Sequence, residues 1–425
     1  MITQTQATTW LKSKGTGPEM GKHLSTEAIS QLDALFQSTQ VHLTTKTTLL
    51  VAILMLPPTP EEQVWITHIH NNYSQILPQD THWLVTSPNT PIQTTAAQVI
   101  AYKDLTSSDA ERAFDMCLDP RIPELDKAAL LEALRLKRET PEENIACLIR
   151  AHTHCQSTML DTDTLVHFSD PFDGFNRNHY LTPFTAALLA SVGIPSVITG
   201  THSVGPKYGI NTHILLKTAA KNPLLSVSDV QNQIQTPSIG WGYCDQSQYN
   251  PPMEALTSLR QNMVKRPLLA TIDKLILPFT APTTLVVAGY THPPYKAKLA
   301  RLLEVHPASP KGLILRGIEG STQLPTGKRA PATPLGSEET LFSRPEDFGL
   351  TPIDNHTNPD ITASETISEG ITALKGVHGG AKATILYNAL GIIKALGKFN
   401  QSTLGQLTKN LTNGSAVSHW ELGHQ

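Results

Sequence analysis

Thr59-Pro60-Glu61-Glu62 returns as Thr140-Pro141-Glu142-Glu143, 81 residues further along the chain. The match extends on both sides. STEA at 25–28 mirrors SSDA at 107–110, and TLLVAILML at 48–56 mirrors ALLEALRLK at 129–137. Ser25–His70 and Ser107–His152 therefore align with an offset of 81 to 82. Each copy reads as helix, short break, helix, capped turn, helix. Thr59 and Thr140 are N-caps, Pro60 and Pro141 first helical residues, and the paired glutamates suit the positive end of the helix dipole. A unit this small has too little core alone and must dock on something. The stretch between the copies, 71–106, contains the strand-like THWLVTS and reads as a connector.

At 425 residues the chain has room for two or three domains and a sizeable core. Lys and Arg number 33 against 36 Asp and Glu, for a net charge of −3. That disfavours a partner held mainly by phosphate neutralisation along a nucleic acid, although a local basic groove stays open. No apolar run reaches the ~18–20 residues of a membrane span. The densest, Thr48–Leu56, is a buried helix by length. The N-terminus lacks a basic-then-apolar leader pattern, and the four cysteines, Cys117, Cys147, Cys155 and Cys244, form no CxxC pair. The expectation is a soluble, reduced, cytoplasmic protein without a membrane partner.

From about residue 160 the periodicity changes. Asp163–Phe168 reads as a short buried strand, Pro183–Val192 as a helix capped by Thr182 and ended by Gly193, and Pro195–Thr199 as the next strand. Strand, helix, strand at this spacing predicts a parallel βαβ unit. A second unit runs through Thr284–Tyr290, Tyr295–Glu304 and Lys311–Arg316. Ser321–Asp360 reads mostly as loop, Gly380–Leu396 as a long helix, and roughly Ser402–Asn413 as the last one. Open α/β sheets hold ligands beyond the carboxyl ends of their strands. Three loops meet that criterion: Ser169–Thr182, Gly200–Gly209 and Gly317–Gln323. They carry Asp170, Asp173, Asn176, Arg177, Asn178, His179, His202, Lys207 and Glu319. Elsewhere, His152-Thr153-His154-Cys155 has no fourth ligand at a metal-binding spacing, and Lys12–Gly17 follows no strand and lacks the ending of a phosphate loop. No metal site is expected.

At these loops a family resemblance appears. RLKRETPEE at 135–143 is similar to the RLKGETPEE signature of the anthranilate phosphoribosyltransferase and nucleoside phosphorylase superfamily. LTPFTAALLASVGIPSVITGTHSVGPKYG at 181–209, VVAGYTHPPYKAKLARLL at 286–303, LILRGIEGS at 313–321 and ILYNALGIIKALGK at 385–398 resemble that family's later elements in order. The resemblance covers roughly 105–425. It implies an α/β fold: a small helical domain, here duplicated, beside a larger domain with a mostly parallel sheet flanked by helices. The division is 1–24 N-terminal segment, 25–70 first helical copy, 71–106 connector, 107–155 second copy, and 156–425 α/β transferase-like domain. It also implies a phosphoribosyl donor between the domains and a homodimer.

The departures from the family bear on chemistry. Its glycine-rich GTGGDG becomes Ser169-Asp170-Pro171-Phe172-Asp173-Gly174, in which only Asp173 and Gly174 match. Its Lys-His-Gly-Asn-Arg loop becomes Ile198-Thr199-Gly200-Thr201-His202, keeping Gly200. Lys207 and Gly209 match. The acidic pair that binds Mg²⁺ in the family falls on Thr322 and Gln323, two neutral side chains, so the cofactor is left open. Arg260 falls where the family has an arginine facing its aromatic acid. If the chain is an enzyme, the resemblance implies pentosyl transfer, with Asp170 and Asp173 stabilising a ribosyl cation. Gly174, Asn176, Arg177, Asn178, His179, Thr182, Gly200, His202, Lys207 and Arg260 would contact a small phosphate-bearing ligand. The other expectation is a non-catalytic nucleotide- or nucleic-acid-binding protein on the same fold. Within the first loop, Arg177 is the expected main anion contact.

Overall fold

The computed structural model describes residues 2–17, 19, 21–353 and 357–425. Two compact units divide the chain: Met1–Arg150 with Ala255–Ile272, and Ala151–Glu254 with Asp273–Gln425.

The first unit is helical. Its chief helices are α1 (Gln4–Lys14), α2 (Leu43–Met55), α3 (Pro60–Ile76), α4 (Pro91–Ile100), α5 (Ser107–Leu118), α6 (Glu124–Lys137) and α7 (Pro141–Thr153). Helix α2 packs on α6, while α1 flanks α2 and α4 flanks α6. Burial explains the apolar run: Leu49 to Ile53 are all inaccessible, as are Ala128 to Leu131 on α6. The two TPEE turns bond alike. Glu62 accepts the N–H of Thr59 at 2.9 Å and of Leu24 at 3.1 Å. Glu143 accepts those of Thr140 at 2.8 Å and Leu105 at 3.0 Å. Each carboxylate also meets a buried lysine, Lys14 for Glu62 at 2.7 Å and Lys137 for Glu143 at 3.0 Å.

Two sequence expectations need correcting here. The connector carries no strand: Gln79–Leu84 is a 3₁₀ turn that buries Trp83, and α4 follows, with Thr90 capping the N–H of Gln93. The apolar alternation of THWLVTS was tertiary burial of a turn. The helical unit also takes in Ala255–Ile272, which the sequence places with 156–425. Thr45 and Glu124 hold that excursion through hydrogen bonds with Asn262 at 2.9 Å and Ser258 at 2.8 Å.

The second unit is built on a six-stranded sheet. Its strands are β1 (Thr164–Ser169), β2 (Ser196–Gly200), β3 (Trp241–Asp245), β4 (Thr283–Gly289), β5 (Lys311–Leu315) and β6 (Ala332–Pro334). Their spatial order is β3-β2-β1-β4-β5-β6, parallel except for β6. β1 and β2 are buried along their whole length, as central parallel strands are. The order reverses between β1 and β4, which places a switch point at the carboxyl end of β1. Helix α8 (Thr182–Ala190) follows β1 and packs on α9 (Gly380–Ala395) and on Ser415–Leu422. That last helix lies beyond the end expected from sequence. Thr182 is the first residue of α8 and not its cap; Leu181 stands at the cap without a side-chain bond, and Gln323 accepts its N–H at 2.8 Å. That bond ties the start of the helix to the loop after β5.

Candidate functional site

The three loops expected to converge do so at the carboxyl end of the sheet. The loop after β1 is joined to the loop after β2 by a two-residue ladder: Phe175 and Ile210 exchange hydrogen bonds of 2.9 and 2.8 Å. Glycines make this close approach feasible. Gly174 has φ +72°, and a Cβ there would lie 2.6 Å from the carbonyl of Gly209. A Cβ at Gly209 would lie 2.5 Å from the carbonyl of Phe175.

The pairing aims donors at one point. Glu319, at the tip of the loop after β5, accepts the backbone N–H of Arg177 at 3.0 Å and of Asn176 at 3.2 Å. The Asn178 amide donates to it at 3.3 Å, and the Lys207 ammonium stands 3.0 Å away. Lys207 is fixed further by the carbonyls of Gly174 and Glu319, at 3.0 and 3.3 Å. Burial would raise the Glu319 carboxyl pKa. The Lys207 charge and the hydrogen bonds outweigh it and hold it below the usual glutamate range. A carboxylate thus sits in a receptor of oriented N–H groups and one ammonium, an arrangement that suits anions.

The remaining predicted residues have other settings. Asp170 is buried and accepts the N–H and hydroxyl of Thr322 at 2.7 and 2.8 Å, and the Tyr180 hydroxyl at 2.8 Å. Asp173 is buried, and its carbonyl accepts the N–H of Gly209 at 2.9 Å. His179 bonds Thr366 at 3.0 Å, and burial lowers its pKa. Thr182 is buried, and Gly200 ends β2 with the Tyr243 ring 3.0 Å from where a Cβ would be. His202 is mostly exposed, 3.4 Å from Glu254. The Arg177 side chain is exposed and makes no hydrogen bond or ion pair with any described residue, so it does not pin the loop to Asp170 or Asp173. Arg260 lies in the helical unit, buried on Thr257–Met263, and is not one of the α/β unit's loop residues.

The Mg²⁺ positions of the family do not fit a hard cation here. Thr322 is bonded to Asp170, while both ends of the Gln323 amide are engaged, by Leu181 N–H and the carbonyl of His179. Neither offers a carboxylate.

Sequence reasoning missed β3 and what it carries. Asp245 ends that strand, accepts from Tyr243 at 2.9 Å and pairs with His213 at 2.9 Å. WGYCD is apolar enough to read as a strand, but it is only five residues long and follows the short helix Val227–Gln235. Glu319 was visible as a polar loop residue, without any local sign of its partners.

The helical segment 94–151 matches the model of the glycosyl transferase family, helical bundle domain. Solved structures agree on the fold. Anthranilate phosphoribosyltransferase from Thermus thermophilus superposes with a TM-score of 0.63 at 20% identity, covering 77% of this chain and 97% of that one. The Saccharomyces cerevisiae enzyme, in complex with PRPP and Mg, gives 0.64 at 13% identity, covering 78% and 96%. The fold of this chain is therefore that of solved anthranilate phosphoribosyltransferases. Sequence relatives match at low identity. Anthranilate phosphoribosyltransferase of Legionella pneumophila (strain Corby) is 23% identical over 302 residues, 70% of this chain and 84% of the relative. An uncharacterized protein of Aquifex aeolicus (strain VF5) is 25% identical over 278 residues, 65% of this chain and 76% of the relative. Protein YbiB of Escherichia coli (strain K12) is 22% identical over 265 residues, 61% and 81%. No described helix is long and apolar enough to cross a membrane.

Proposed function

We propose that this phosphoribosyltransferase-like protein binds a phosphate-bearing ligand at the loops after β1, β2 and β5, and that it does not run Mg²⁺-dependent transfer from phosphoribosyl pyrophosphate. The observation that carries the reading is the convergence of the Asn176 and Arg177 N–H groups, the Asn178 amide and the Lys207 ammonium on one anionic group. Donors of this kind, held by backbone pairing, bind an anion with little reorganisation. Transfer chemistry needs more: a held pyrophosphate leaving group and a stabilised ribosyl cation. Asp170 is already occupied by three donors, and Thr322 and Gln323 leave no carboxylate for a metal.

Calorimetry tests the reading. Ribose 5-phosphate is expected to bind with the same affinity with and without Mg²⁺, and phosphoribosyl pyrophosphate plus anthranilate to yield no product. Mg²⁺-dependent turnover would overturn it. A nucleic-acid strand presents the same phosphate group. A shift assay with single-stranded DNA across salt concentrations separates a strand, whose binding weakens steeply with salt, from a small ligand. The homodimer expected from the resemblance is read by light scattering against the single-chain mass of 46.3 kDa.

A further inference from the structure

The group now held by the receptor belongs to the protein. Glu319 has φ +53°, a left-handed conformation that is costly for a residue with a side chain. Glycine would adopt it without strain, and Gly317 and Gly320 flank it. The base of the turn is fixed: a Cβ at Gly289 or Gly317 would fall 1.6 or 1.8 Å from the carbonyl of Ser321. A strained, rigidly based turn thus presents a carboxylate to four donors from two other loops. The Glu319 side chain is 14% exposed, so solvent reaches the group.

Resting on the function proposed above, we propose that Glu319 is a built-in occupant of the anion receptor, and that the ligand enters by exchanging a single phosphate group for this carboxylate, without a divalent cation. Charge fixes the class. The receptor's donors carry one formal positive charge, that of Lys207, which a carboxylate balances. A phosphate diester, or a monoester of charge −1 to −2, replaces it at similar cost, with the exposed Arg177 guanidinium on the same loop as a second cation. A pyrophosphate carries more charge and in solution travels with Mg²⁺. Thr322 and Gln323 offer that ion no carboxylate, and Pro171 gives no N–H where the family has glycine amides. Phosphate and carboxylate share the geometry of oxygens accepting from parallel N–H donors, so one receptor serves both.

The test compares the native chain with Glu319→Gln and the double variant Glu319→Gln/Lys207→Met, using inorganic phosphate and ribose 5-phosphate as calorimetric probes in EDTA at fixed ionic strength. Removing the competing charge should tighten both probes at least tenfold, and the double variant should lose that gain. Should Glu319→Gln fold poorly, Glu319→Gly, which suits φ +53°, is expected to show the same tightening. If the native chain binds and neither variant binds tighter, the exchange is wrong while the phosphate site stands. If a variant loses melting temperature without gaining affinity, Glu319 is a structural latch and the exchange is likewise wrong. If no form binds either probe at tens of millimolar, the site reading falls and the exchange with it. Tightening seen only with Mg²⁺ added would overturn the single-phosphate, metal-free class.

Discussion

One oxygen of the Asp170 carboxylate accepts both the backbone N–H and the hydroxyl of Thr322, at 2.7 and 2.8 Å, and so ties the loop after β1 to the loop after β5. The second oxygen takes the Tyr180 hydroxyl. At 3% exposure the group is a structural clamp. Asp170→Ala breaks three buried hydrogen bonds and strands the Thr322 N–H and hydroxyl, while Tyr180 keeps Thr212 at 3.0 Å, a cost of about 3 kcal/mol. The thermal transition of the α/β unit should fall by roughly 6–12 °C. A loss under about 2 °C would show that the clamp carries little of the fold.

Arg177 is predicted to behave in the opposite way. Its guanidinium has no partner among the described residues, so Arg177→Ala should leave melting unchanged. If it contacts the ligand, affinity for ribose 5-phosphate falls at least tenfold, about 1.4 kcal/mol. An unchanged affinity removes the side chain from the site and leaves its backbone N–H there.

Glu62 sets an acid limit on the helical unit. Burial favours its protonated form, yet the bonds from Lys14, Leu24 and Thr59 prevail and hold its pKa below the usual glutamate range. A carboxyl depressed on folding contributes stability that is complete above its unfolded value, and the contribution is lost as pH falls through the folded value. Melting should therefore hold from neutrality down to about pH 5 and decline below about 4.3. In Glu62→Gln this part of the decline should vanish. At pH 7 that variant strands Lys14, 2% exposed, at a cost of about 3 kcal/mol. An identical acid profile in native and variant would locate the limit elsewhere.

Gly391, inside α9, lies under the Phe342 ring, and a Cβ there would come within 2.4 Å of it. Helix propensity favours alanine over glycine by about 1 kcal/mol. Overpacking costs about 1–3 kcal/mol and should prevail. Gly391→Ala is expected to lower the melting temperature, and the double variant Gly391→Ala/Phe342→Leu to recover part of it. A stabilised single variant would mean that Phe342 moves aside freely.

The βαβ succession, the capped TPEE turns and the buried helix at Thr48–Leu56 were legible in the sequence, because each rests on local periodicity and on caps within three residues. The loops of the site were legible too, because strand direction alone places them at the carboxyl edge. The return of Ala255–Ile272 to the helical unit had no local sign, because its partners Thr45 and Glu124 lie more than a hundred residues away. The turn at Gln79–Leu84 was misread for the same reason: tertiary burial of Trp83 imitates the alternation of a strand.

The sequence by itself determined the βαβ elements, the capped helices and which loops could meet, since those follow from hydrophobic period and backbone propensity. Only the tertiary structure decided what the loops do when they meet. Asp170 reads as a candidate catalytic carboxylate in sequence and becomes a clamp, while Glu319, one polar residue among several, becomes the anion that the other loops hold. Hydrogen-bond partners 142 and 152 residues apart in the chain set those roles. A side chain's charge is written in its residue type, but the groups that meet it are fixed by the fold.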